Sequence, residues 1–206
     1  MRLHYMRKYD LDPASLPHGE HMPGAVPFRE AKDSKQMALI ANLLAVGVLI
    51  LLAVPAFLRC SSFFRGMGPA AAFDALGPQY LLGCLLSLAI LFPHELLHAV
   101  CFREDVYLYT NWKQGMLFVV GPETMSKGRF VFMSLLPNLV FGFLPYCIGM
   151  AAPHLLWLLS LGIFAASMGA GDYYNVFNAL TQMPRGARTY LYQFNSYWYL
   201  PQSGES

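Results

Sequence analysis

Met37–Leu58 runs for 22 residues without one charged side chain. A helix of that length crosses the roughly 30 Å hydrocarbon core of a bilayer, and its own backbone bonding is what lets it stay there. Three further apolar runs follow, about Gln79–Phe102, Phe130–Ala152 and Leu155–Leu180. Together they predict an all-α membrane protein with four transmembrane helices. Composition agrees: 56% of residues are hydrophobic and only 13% charged, about half the charge of a soluble domain. The net charge of +2 carries no basic stripe, so nucleic acid is excluded as a partner and the lipid bilayer is the expected surroundings.

The runs divide the chain. Residues 1–36 read as a polar, proline-broken arm with a helix beginning near Pro27. Residues 37–183 form the four-span domain (37–58, 79–102, 130–152 and 155–180), and residues 184–206 form an aromatic tail. Four spans put both termini on one side. Twelve Lys and Arg fall on that side against two, Arg59 and Arg65, on the other. The positive-inside rule then predicts a multi-pass protein of the cell membrane with both termini and the 103–129 loop in the cytosol. Within that loop, "DVYLYT" and "MLFVV" flank "NWKQG", which predicts a small β-hairpin over 106–120. His18 and His21 read as exposed side chains of the arm. The tail aromatics Tyr190, Tyr192, Phe194, Tyr197, Trp198 and Tyr199 read as an interfacial belt. Cys60, Cys84, Cys101 and Cys147 lack zinc-ribbon spacing and read as reduced thiols.

The second run contains "LFPHELLHAV", residues 91–100. Ionisable groups at membrane depth are costly, and those that stay there mark function. His94 and His98 stand four apart, on one helix face, at the spacing for two imidazoles to hold one zinc ion. Glu95 stands beside the first of them, where a carboxylate can act as general base on a metal-activated water. Pro93, just before, is placed to kink the helix. A third ligand must come from another helix at similar depth. Asp172 is the only acid between Glu123 and Glu205. It lies nine residues before Thr181, as His94 lies nine before Arg103, so both stand about 13 Å deep. Asp172 is therefore the expected third ligand, with Asn175 and Asn178 as nearby polar side chains.

"FPHELLHAVCF" in one span, a hairpin after it and a later "GD" resemble the site-2-protease type of intramembrane zinc metalloprotease. The closer resemblance is to a bacterial family of small four-span membrane proteins described as putative zincin peptidases, first known as a domain of unknown function. It covers roughly residues 37–190. It implies zinc as cofactor, His94, His98 and Asp172 as ligands, and Glu95 as catalytic base. "SLLPNLVFG" is similar to the G-P-x-x-N segment of site-2 proteases and implies Asn138 as a substrate contact, although Leu136 stands in place of the glycine. The expected activity is a metalloendopeptidase cutting a membrane protein or peptide substrate near the cytosolic leaflet. Two other classes stay open: an inactive partner-binding protein of the same fold, and a metal transporter, against which the lack of an inverted repeat counts.

Overall fold

The structure, a computed structural model, describes residues 1–31, 34–63, 65–112, 116–193 and 195–201. The chain divides into two compact units. One comprises residues 1–37, 95–136 and 172–206, and the other residues 38–94 and 137–171.

The first unit is built on two sheets. Strand β1 (Leu3–Lys8) pairs in parallel with β3 (Val106–Asn111), and β3 pairs antiparallel with β4 (Met116–Val120), giving the order β1-β3-β4. β2 (Val26–Pro27), β5 (Met125–Ser126), β6 (Arg188–Tyr192) and β7 (Asn195–Tyr199) form a second sheet in the order β2-β7-β6-β5. Tyr9, Leu16, Tyr109 and Val120 make a buried cluster beside the first sheet. The Tyr9 and Phe118 rings meet edge to face at 5.4 Å, an arrangement the ring quadrupole favours. Phe28 packs with Ala179, Met183 and Ala187 in a second cluster.

The remaining elements are helices, and residues 38–94 and 137–171 make the second unit helical. α1 (Ser34–Phe63) turns large aliphatic and aromatic side chains outward, with Leu51 70% and Phe57 72% exposed. Such a surface suits lipid and not water. α2 (Pro69–Ala89) leads into the short α3 (Leu91–Ala99) through a 41° bend. The cause is Pro93: it has no N–H to give to the Ala89 carbonyl, and its ring clashes there. The ladder resumes at His94, whose N–H reaches the Ile90 carbonyl at 2.8 Å. α4 (Lys127–Pro137) continues through a π-helical turn (Asn138–Phe143) into α5 (Leu144–Ala151). α6 (Leu156–Met168) lies against α5 and the π-helical turn so closely that a Cβ on Gly149 would stand 2.7 Å from the Leu159 amide nitrogen. α7 (Ala170–Gln182) follows, and most of α3, α4 and α7 falls within the first unit.

Several expectations are corrected. The protein is mostly helical but not all-α, and its two sheets amount to far more than a hairpin. The arm is largely irregular but supplies β1 and β2, and no helix starts at Pro27. The tail aromatics Tyr190, Tyr192, Tyr197, Trp198 and Tyr199 are strand residues of β6 and β7. Their expected partner Phe194, like Lys113–Gly115 of the hairpin connection, lies outside the described residues. Four spanning helices are not found among the described residues. Lys35–Ser62 and Lys127–Ala151 are long and apolar enough to cross a membrane, and α2 with α3 makes a third if the bent pair is one span. The fourth run is interrupted at Gly169, which leaves α6 with 13 residues, about 20 Å of helix. The 106–120 hairpin is present as expected, and all four cysteines are free thiols.

Candidate metal centre

α3 carries His94, Glu95 and His98 within nine residues. One ligand atom from each lies within 4.8 Å of the other two. This follows from helical geometry, which stacks positions i and i+4 on one face and sets i+1 beside them.

His98 is held at both ring nitrogens. Its Nδ1 lies 3.0 Å from the Met133 carbonyl oxygen on α4, and its Nε2 lies 3.2 Å from Asp172 Oδ1. Both side chains are largely buried, 10% and 14% exposed. Asp172 stands in the first turn of α7, where the helix dipole favours a carboxylate. A carbonyl oxygen can only accept, so Nδ1 must carry the hydrogen. A neutral ring then presents the Nε2 lone pair to a carboxylate, acceptor against acceptor. The pair is satisfied by a cation between them, either a proton on the ring or a metal ion. The grouped donors are His94, Glu95 and His98, and Asp172 meets them at His98 Nε2. Imidazole and carboxylate donors suit zinc, and a histidine whose other nitrogen is tied to a carbonyl is the usual form of a zinc ligand. The residues present therefore fit the metal.

Glu95 is held by a strand as well as grouped with the two histidines. Its Oε2 accepts the Val119 N–H of β4 at 3.0 Å. Among the described residues β4 is one of the two edge strands of its sheet, so the carboxylate lies at a sheet margin.

Asn138 lies in the helical unit at 1% exposure, and its side-chain amide occupies the space that a Cβ on Gly169 would need. Asn178 is likewise buried, and its Oδ1 accepts from Gln182 Nε2 at 3.0 Å. His18 and His21 are exposed, yet they rest on the tail: His21 Nδ1 lies 3.0 Å from the Tyr190 hydroxyl, and the His18 ring sits 4.5 Å from that of Tyr192.

Sequence reasoning missed the groups that tie α3 at its end. Glu123 is buried and accepts from the Arg103 amide at 2.6 Å, the Glu104 amide at 3.2 Å and the Arg129 guanidinium. Arg129 also donates twice to the Cys101 carbonyl, at 3.1 and 2.6 Å. An acid and a base six apart in one loop were the available signal. The Met133 carbonyl offered none, since a main-chain group has no signature in sequence.

Residues 87–188 match the sequence model of a family described as "Putative zincin peptidase". Over that stretch, which holds α3, the 106–120 hairpin and α7, the chain belongs to this family. Membership makes a zinc metallopeptidase the coarse class of the protein. No curated protein matches the chain, and no solved structure does.

Proposed function

We propose that the protein is an intramembrane zinc metalloprotease of site-2-protease type. The observation that carries this reading is the 3.2 Å meeting of His98 Nε2 and Asp172 Oδ1 from separate helices, with His98 itself grouped with His94 and Glu95. His94, His98 and Asp172 would hold the metal. When bound, zinc supplies Lewis acidity toward a water and the scissile carbonyl. Met133 keeps His98 in the tautomer that presents Nε2. Glu95 accepts the proton that water gives up as its oxygen bonds to the carbonyl carbon. It then delivers that proton to the amide nitrogen as the C–N bond breaks.

The substrate in this reading is a membrane protein segment, unwound and extended. Glu95 holds an amide of an edge strand, so an extended peptide pairing along β4 would bring its carbonyls to the base. The apolar helices Lys35–Ser62 and Lys127–Ala151 support a place in the membrane.

The test is cleavage of single-span reporter proteins in proteoliposomes by zinc-loaded enzyme. Cleavage that chelators stop and that Glu95→Gln lacks is the expected result. One bound zinc per chain without cleavage of any reporter, together with full biological function of Glu95→Gln in cells, would replace the protease with a partner-binding protein. Zinc flux into the liposomes would instead make it a transporter.

A further inference from the structure

Lys127 and Arg129 lie in the first turn of α4, the end of a helix where its own dipole disfavours cations. Neither side chain serves α4. Lys127 Nζ donates to the carbonyls of Leu180, at 3.2 Å, and Met183, at 2.8 Å, at the C-terminal end of α7. Arg129 donates twice to Cys101, just past the end of α3. Those are the ends where unpaired carbonyls collect and where cations are favoured. One turn further along α4, the Met133 carbonyl takes His98 Nδ1. Seven residues of one helix thus touch both helices whose side chains meet at His98 and Asp172. Glu123 holds the Arg129 guanidinium in place and takes up the amides of Arg103 and Glu104.

We propose that Lys127 and Arg129, with Glu123 behind Arg129, are positioning residues of the metal centre. By gripping the C-terminal ends of α7 and α3, the start of α4 sets how those helices lie along their axes, and so sets the separation of His98 and Asp172. The proposal rests on the zinc peptidase reading for its purpose, but the geometry it describes exists without the metal. A ligand pair displaced by even 1 Å loses affinity, because zinc tolerates little variation in bond length.

The experiment compares full-length Lys127→Met, Arg129→Met, Lys127→Arg and wild type in detergent, with two readouts. One is zinc affinity, by competition with a chelator of known strength. The other is the imidazole nitrogen resonances of His98 in metal-free protein labelled with ¹⁵N-histidine. Both Met variants are expected to bind zinc at least about tenfold more weakly and to shift the His98 resonances. Lys127→Arg, which can reach the same carbonyls, restores both. Should a Met variant fail to fold, Lys127→Gln and Arg129→Lys carry the same comparison. Wild-type affinity and unmoved His98 resonances in folded variants would overturn the proposal. If wild type itself binds no zinc, the protease reading falls, and the His98 resonances alone still decide whether α4 positions the pair.

Discussion

His98 Nε2 and Asp172 Oδ1 stand 3.2 Å apart, and with Nδ1 held by the Met133 carbonyl a neutral His98 ring leaves Nε2 an acceptor facing a carboxylate. Asp172→Asn turns one acceptor into a donor, so the pair is satisfied with no cation between. Zinc affinity is expected to fall at least about tenfold. Metal-free stability is expected to hold or to rise by about 1 kcal/mol, the worth of one hydrogen bond. Zinc titration and thermal unfolding of the same preparation read the two signs. A loss in both would mean that Asp172 is simply a structural partner of His98.

Glu95→Gln keeps an oxygen that can accept the Val119 amide, so the junction of α3 with β4 survives. It removes the group that carries the proton. Hydrolysis should drop on the order of 10²–10⁴-fold while bound zinc stays at wild-type level. Metal analysis beside a cleavage assay checks this, and parallel loss of zinc would mark Glu95 as a ligand instead of the base.

Glu123 gives the structure a pH limit. Burial alone would push its carboxyl up; the Arg129 guanidinium and the amides of Arg103 and Glu104 outweigh burial and hold it below the usual carboxylate range. A lowered folded value contributes stability that is present above the unfolded value, about 4.3, and is lost as pH falls through the folded one. Protection of the amides at the end of α3, taken relative to the intrinsic exchange rate at each pH, should therefore fall as the pH drops below about 4. Glu123→Gln should exchange faster at neutral pH and lose that dependence.

Gly169 and Asn138 share one volume. In Gly169→Ala the new methyl falls on the Asn138 amide, so the helical unit must shift, at a cost of about 1–3 kcal/mol. Asn138→Ala in the same chain should recover much of that loss, because the two sites are in contact and their effects do not add. Thermal unfolding of the two single variants and the double variant measures the coupling. Additive losses would show that the Asn138 amide does not fill that space.

The motif helix was legible because four-residue spacing is a local property, and local geometry places His94, Glu95 and His98 together whatever surrounds them. Asp172 could be found by counting depth, and it does lie against His98. The 106–120 hairpin announced itself through β-branched and aromatic runs around a short connection. β1 did not. "LHYMRK" is short and ends in two basic residues, and it becomes a strand only because β3 offers its edge. The break at Gly169 was equally hidden, since an unbroken apolar run says nothing of where a helix stops. The tail aromatics fitted a membrane belt and a strand pair equally well, and period-two burial decides only once the partner strand is known.

The parallel pairing of Leu3 with Val106 also sets a schedule for synthesis. The first strand leaves the ribosome about a hundred residues ahead of its partner, a wait of roughly 5–20 s at ordinary elongation rates. α1, α2 and α3 are made during that wait. The sheet whose margin anchors Glu95 can close only after the motif helix exists, so the nascent chain carries its histidines and glutamate before it carries the frame that aims them.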